Sequence, residues 1–338
     1  MSTPPTYDGV QSPEQQRRPS RRGWLPLVLT ALAVLLVGAL FAGTLYAFTV
    51  DQKVNEKLRR GASLPSDSPT EAGAKPRPKP RAGNARDYVL IGADLAAGGA
   101  SRSDALMVLH LAGDRRSAYL ISFPRDLWVR IPGHGQNKIN AAYAFGGSAL
   151  TIRTLEELLG VRMDHVAEVD FTGFIALTDE VGGVRVYNTY PSRSGGYAFP
   201  VGYITLNGEQ ALAYVRERTG LPRGDLDRAE RQRAVVTAIL AEGLSGDTIR
   251  NPRRFIAFTS GVAQHITVDA ELTPAVLRRT ALSLRLAPED IASVQAPVAR
   301  FGRSGGQSID VVDKAKMAEL AGALRDDTMS DYLERYPG

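Results

Sequence analysis

The chain has 338 residues, with 41 Lys and Arg against 36 Asp and Glu, four histidines and no cysteine. Without cysteine there is no disulfide framework, no thiol catalysis and no cysteine-ligated zinc, and an oxidising exterior is tolerated. The formal charge of +5 belongs to the N-terminal quarter: residues 1–86 hold 13 basic against 6 acidic side chains, whereas residues 87–338 hold 28 against 30, so the bulk of the chain is slightly acidic and a nucleic-acid partner loses support.

In chain order, residues 1–23 form a basic tail that ends with Arg17, Arg18, Arg21 and Arg22. Trp24 to Val50 follow as 27 residues without a charge, long enough for a hydrocarbon core of about 30 Å. This predicts one transmembrane helix over 24–50, and the arginines before it place the tail in the cytoplasm and everything after Asp51 outside. A cleavable signal peptide is the alternative, but its apolar stretch normally runs about 7–15 residues and ends at a small-residue site. Residues 51–86 are rich in Pro, Ala, Ser and charge without apolar periodicity. They are expected to be a disordered tether whose basic residues meet anionic lipid headgroups or wall polymers.

Residues 87–338 have the length of one α/β domain. The strand-like runs DYVLIG, DALMVLHL, SAYLIS and LWVRIP arrive in quick succession and are expected to form one sheet. Amphipathic periodicity predicts helices over 149–159, 171–180, 207–215, 226–243, 252–264, 274–286 and 312–323, with short strands VAEVD, GVRVY and ASVQAP between them. The simplest packing is a mixed central β-sheet flanked by helices on both faces.

Polar residues collect at the ends of the early strands. Asp94 closes one strand and Asp104 opens the next, just after Arg102. Two carboxylates at adjacent strand ends suit Mg²⁺, which takes one or two of them plus water and phosphate oxygens; aspartates that merely cap turns have the same composition. Arg125 and Asp126 follow a strand and a proline, and Lys138 and Asn140 stand in QNKINAAYAFGG.

The stretch RERTGLPRGDLDRAERQ, Arg216 to Gln232, is the densest in arginine. A helix opening at Asp225 would put Asp225, Arg228 and Gln232 at i, i+3 and i+7 on one face, bordered by Arg231. Upstream, Asn207 and Gln210 make a capping-box signature for a helix that runs into Arg216. Gly220 and Pro222 favour a break, and an extended segment would aim Arg216 and Arg218 the same way, two guanidinium forks for neighbouring phosphate oxygens. An exposed basic face is the plainer reading of the same residues. His110, His134, His165 and His265 lack metal-ligand spacing, and G-x-S-x-G, Walker A and H-E-x-x-H are missing.

The succession Gly92-Ala93-Asp94, Arg102-Ser103-Asp104, Ser122-Phe123-Pro124-Arg125-Asp126, Lys138-Ile139-Asn140-Ala141, Val169-Asp170-Phe171, Gly182-Gly183-Val184, Leu206 to Leu212, Arg216-x-Arg218 and Asp225-x-x-Arg228-x-x-Arg231-Gln232 resembles the LytR-CpsA-Psr family over about residues 87–243. The resemblance implies an αβα catalytic domain outside the membrane, and a phosphotransferase that moves a glycopolymer from a polyprenyl-pyrophosphate carrier to a peptidoglycan hydroxyl. A phosphodiester forms and polyprenyl phosphate leaves. By match to the family's motifs, Asp94 and Asp104 would hold Mg²⁺, with Mn²⁺ a possible substitute. Arg125, Arg216, Arg218, Arg228 and Gln232 would bind the pyrophosphate and Asp225 would orient those arginines; Lys138, Arg102 and Arg231 are further substrate contacts. Asp94 and Asp225 are candidates for the general base. The loop Leu95 to Gly99 departs from the family pattern, which carries an arginine shortly after the first aspartate.

The carrier's isoprenoid needs an apolar groove, for which Phe171, Phe174 and Val215 are candidates with Val169, Ile175, Leu177, Val181 and Leu212, although such residues are ordinary core more often than ligand walls. The expected partners are the lipid-linked donor, peptidoglycan and membrane lipids. The rival functions are a pyrophosphate hydrolase on the same donor and a non-catalytic wall- or lipid-binding regulatory module.

Overall fold

A computed structural model of the protein describes residues 52, 55–68, 75–93, 103–218, 220–243 and 261–337. The expected membrane helix over 24–50 and the tail before it lie outside these residues, as do Asp94 with its following loop, Arg102 and most of the expected helix 252–264. Among the described residues no helix is long and apolar enough to cross a membrane.

The first half of the described chain runs β1 (Arg59–Arg60), β2 (Arg86–Ala93), β3 (Ser103–Leu111), β4 (Ala118–Ser122), β5 (Leu127–Ile131), β6 (Gly135–Lys138), α1 (Ala141–Leu159), β7 (His165–Val169), α2 (Phe171–Glu180) and β8 (Val184–Asn188). There follow β9 (Ser192–Ser194), β10 (Tyr197–Phe199), β11 (Gly202–Leu206), α3 (Gly208–Arg216), α4 (Asp225–Gly243), β12 (Thr267–Val268), α5 (Pro274–Ser283), β13 (Ile291–Gln295), β14 (Val298–Ser304), β15 (Gln307–Val312), α6 (Lys314–Asp326) and α7 (Met329–Arg335).

Seven strands form the central sheet in the order β1-β12-β7-β2-β3-β4-β13. It is mixed: β2 pairs antiparallel with β3 and parallel with β7, and β4 pairs antiparallel with β3 and parallel with β13. All of β4 and the last six residues of β3 are buried, which is why both read as nearly unbroken apolar runs. On one face Val89, Ile91, Val108 and Ile121 share a core with Leu150, Ile152 and Leu155 of α1 and Leu320 and Leu324 of α6. On the other, Met107, Leu109 and Leu120 pack with Val236 and Leu240 of α4. Helices therefore cover both faces, as the sequence predicts.

LWVRIP departs from expectation. The chain turns at Pro124, whose carbonyl accepts from Leu127 N at 3.0 Å, and β5 leaves the central sheet for a four-stranded one in the order β14-β15-β5-β6. Its partner β15 comes from the far end of the chain and runs parallel to it, a long-range pairing that local patterning does not reveal. The helix expected over 149–159 begins earlier, at Ala141, but Gly146 and Gly147 break its helical backbone, so the regular part starts near the expected place. The β9–β10 and β14–β15 hairpins and α7 are additions to the elements that the sequence predicts.

The expected tether over 51–86 is in part folded onto the domain. β1 pairs with β12, and Leu58 and Ala62 are buried. Arg77 is buried against Glu156, its Nη2 donating at 2.6 Å to Oε1 and its other donors reaching Glu156 Oε2 and the Pro65 carbonyl. Arg153 donates to the carbonyls of Lys75 and Ser66. No apolar period marks this segment because guanidinium bonds and the β1–β12 pairing hold it together with a few isolated apolar contacts such as Leu58 and Ala62. Arg77→Ala leaves the buried Glu156 charge uncompensated, so it is expected to cost about 3–5 kcal/mol and to expose residues 62–68 and 75–81 to limited proteolysis. Unchanged denaturant unfolding and an unchanged cleavage pattern would show that the segment does not contribute to the fold.

Candidate active site

The pocket of interest lies where the start of β3, the β4–β5 turn, the first turns of α4 and β15 converge. Asp104, Leu106, Ser122, Pro124, Arg125, Asp126, Asp225, Arg228, Gln232 and Asp310 are among its lining residues. Asp225 is the first residue of α4. It follows Gly224, whose φ of 54° lies in the left-handed region that glycine adopts without strain. Asp227 stabilises that start by accepting from Arg223 N at 2.7 Å and from Arg223 Nε at 2.6 Å.

Asp225 gathers three arginines. Its Oδ2 lies 3.4 Å from Arg125 Nη2 and 3.3 Å from Arg228 Nη2, and its Oδ1 lies 3.4 Å from Arg218 Nε. Arg125 also reaches Asp104, at 3.6 Å. These are ion contacts longer than closed hydrogen bonds, so donors remain free; Arg125 Nε is buried with no hydrogen-bond partner. Burial, and next the Arg125 charge, pull the Arg228 guanidinium below its ordinary value, opposed by Asp225 and Asp104. A part-buried cation beside other cations is an arrangement that a polyanion would stabilise.

Arg228 and Gln232 line the pocket with Asp225, as their spacing on one helix face predicts. The predicted break after Arg216 is also present: α3 ends there and Glu217 is extended, with ψ of 132°. Glu217 is buried while Arg216 and Arg218 are both exposed, the alternation of an extended segment. Arg216 lies over the Phe171 ring, 4.7 Å from its centroid. That places it against the first residue of α2, held there by the close approach of α3, where a Cβ on Gly208 would stand 2.3 Å from the Ile175 carbonyl oxygen. Lys138 reaches the pocket through Asp126, with Nζ 3.0 Å from Oδ1.

Arg231 is not brought to the pocket. It is buried, donating to Ser192 Oγ, Asn188 Oδ1 and the Tyr190 carbonyl, and its guanidinium covers the Tyr214 ring at 4.2 Å. The expectation of a substrate contact there gives way to a structural one, tying α4 to the end of β8. Val215 and Phe174 belong to a second core with Val184, Val186, Phe199, Leu206 and Val235. Asp94 and Arg102 lie outside the described residues; Ala93 at the end of β2 pairs with Ser103 at the start of β3.

Asp310 is a pocket residue that no sequence motif marks. It lines the pocket, and burial followed by the charges of Asp126 and Asp225 pushes its carboxyl up from the usual range, with Lys138 opposing. It stands there because β15 pairs parallel with β5 and Asp310 N donates to the Asp126 carbonyl at 2.9 Å. Arg233, also not singled out, anchors α4 to the end of β4 by donating to Ser122 Oγ at 3.0 Å.

The LytR_cpsA_psr family matches residues 48–326. The chain belongs to the LytR-CpsA-Psr family. Among curated relatives, the polyisoprenyl-teichoic acid–peptidoglycan teichoic acid transferase TagU of Oceanobacillus iheyensis is 33% identical over 246 residues, covering 71% of this chain and 76% of that protein. TagU of Bacillus subtilis is 33% identical over 238 residues, covering 69% and 74%. The fold is similar to that of B. subtilis TagV, with a TM-score of 0.62, 26% identity and coverage of 73% of this chain and 98% of that one. A structure of TagT bound to LI-WTA gives a TM-score of 0.60 at 26% identity, covering 79% and 100%.

In this family member Arg218 is exposed and carries no packing load, so Arg218→Lys keeps the charge and removes the fork. It is expected to lower kcat/KM by roughly 10- to 100-fold, the size of one charge-assisted hydrogen-bond pair, with the melting temperature unchanged. Near-normal turnover would remove Arg218 from the phosphate-binding set.

Proposed function

We propose that the chain is a phosphotransferase that moves a glycopolymer from a polyprenyl-pyrophosphate carrier onto a peptidoglycan hydroxyl, outside the membrane in which residues 24–50 anchor it. The observation that carries this reading is the Asp225-centred arginine cluster facing a pocket in which Arg125 Nε is buried without a hydrogen-bond partner, its ion contact to Asp126 Oδ1 being 4.0 Å long. The named activity of the TagU relatives supports it.

In this mechanism Arg125, Arg218 and Arg228 take the non-bridging oxygens of the pyrophosphate, Gln232 adds a neutral donor from the same helix face, and Arg216 and Lys138 flank them. The acceptor oxygen attacks the phosphorus that bears the glycopolymer. The bond from that phosphorus to the polyprenyl-phosphate oxygen breaks, and the leaving oxygen keeps the electron pair among the guanidiniums. Positioning and charge neutralisation are most of what such a transfer requires. The hydroxyl proton goes to a carboxylate. Asp225 is engaged by three arginines, whereas Asp310, whose carboxyl burial and then the Asp126 and Asp225 charges push up from the usual range, is the better acceptor.

Asp104, partly exposed and 3.6 Å from Arg125, would hold Mg²⁺ together with Asp94, and Mn²⁺ would substitute. Hard oxygen donors at a pocket rim fit such an ion. Among the described residues no cluster of three His, Asp or Glu side chains could hold a metal alone, so phosphate oxygens and water would complete its shell. When bound, the ion would neutralise charge on the pyrophosphate oxygens.

The test is to incubate the purified protein with a lipid-pyrophosphate oligosaccharide, Mg²⁺ and a peptidoglycan oligomer, and to identify the sugar products by mass spectrometry. A phosphodiester-linked conjugate that disappears with EDTA is expected; free sugar phosphate as sole product would identify a hydrolase. Run across pH, Asp310→Asn should lower turnover and flatten the acid limb, because a base with a raised pKa loses its proton, and gains activity, only as pH rises through that value. An unchanged profile would assign the proton to another group.

A further inference from the structure

β8 and β11 form a two-stranded antiparallel ribbon separate from both sheets. Its inner side, Val184, Val186 and Leu206, is buried in the core shared with α3 and α4. Its outer side carries Arg185 and Tyr187 on one strand and, opposite them in register, Thr205 and Tyr203 on the other. Tyr187 and Tyr203 are 56% and 67% exposed, and Val201 at the mouth of β11 is 55% exposed; these are three of the six large apolar side chains exposed among the described residues, which makes a patch and not a scatter. The two tyrosine rings meet edge to face at 5.2 Å, and the Arg185 guanidinium lies 4.4 Å from the Tyr203 centroid.

The chemistry of the whole segment is one-sided. From Val184 to Leu206 there is no Asp or Glu, while Arg185, Arg193, four tyrosines and Phe199 are present. Amphipathic tyrosine rings settle at the boundary between hydrocarbon and water, and an arginine among them meets anionic headgroups. A polyanionic glycan would be gripped by several guanidinium forks, yet two arginines in the segment stand among a larger aromatic and aliphatic surface. We propose that the outer face of this ribbon, Arg185, Tyr187, Val201 and Tyr203, docks the catalytic domain on an anionic membrane surface, where a lipid-linked donor is held. The proposal rests on the reading of residues 24–50 as a membrane anchor.

The chain has no cysteine, so a single Thr205→Cys variant of the full-length protein takes one environment-sensitive fluorophore on the ribbon. Ser330→Cys, on exposed α7 surface, provides the control. Both are reconstituted into lipid nanodiscs of phosphatidylcholine and phosphatidylglycerol that contain headgroup-region nitroxide quenchers. The label at 205 is expected to be quenched about threefold more than the label at 330, because nitroxide contact requires lipid within reach of the ribbon. Arg185→Glu with Tyr203→Ser, both exposed and outside the catalytic machinery, should bring it down to the control level. Equal quenching at the two positions overturns the proposal, as does a label at 205 shielded by added soluble glycan polymer and not by lipid. Failure of the full-length chain to enter the discs overturns the anchor reading and the docking proposal with it, and the product assay remains a separate check on the chemistry.

Discussion

One carboxylate holds the candidate active site together. Asp225 Oδ2 contacts both Arg125 and Arg228, so these two cations are no more than about 7 Å apart and repel by on the order of 2–3 kcal/mol at an effective dielectric of about 20, before solvent screening. Without an anion between them the cluster would open. Asp225 keeps it closed with contacts of 3.3–3.4 Å, close enough to balance the charge and too long to use up the donors. Three guanidiniums are thereby held around one carboxylate, and in the proposed function this preorganised charge would stabilise phosphoryl transfer without reorganisation.

The rest of the fold sets the positions of those forks. Asp225 and Arg228 come from the first turn of α4, which Asp227 and Arg223 secure from one side and Arg233 from the other through Ser122. Arg125 comes from the turn where the chain passes from the central sheet into the smaller one, and Asp310 from a strand of that smaller sheet. Arg231, pointing the opposite way into the interior, fixes the roll of α4 about its axis by its bonds to Ser192, Asn188 and Tyr190. The two sheets and their covering helices thus bring residues from four distant parts of the sequence to one rim.

What was legible in the sequence was what depends on short spacing. Asp225, Arg228 and Gln232 share a face because 3.6 residues make a turn, and the break between Arg216 and Arg218 follows from Gly220 and Pro222. Arg231 has the same composition and neighbourhood as Arg228, but on a helix it lies about 100° from Gln232, and only the packing of β8 decides that it faces inward. Asp310 was invisible because its place depends on β15 pairing with β5 across most of the domain. The folded part of the supposed tether was missed for a related reason: Arg77 and Arg153 bind carboxylate and carbonyl oxygens, which leave no apolar rhythm to read. The second sheet was missed because LWVRIP has the same strand character whichever sheet it joins.

The most direct test of the central claim is the affinity of the protein for a short-chain polyprenyl pyrophosphate, compared with the monophosphate, before and after Asp225→Asn. Removing a negative charge from the proposed phosphate site should tighten anion binding if net charge alone mattered. The account predicts the reverse, a loss of about tenfold or more in pyrophosphate affinity and of the preference over monophosphate, because the arginines would no longer be held in register. Equal or tighter binding by the variant would contradict it.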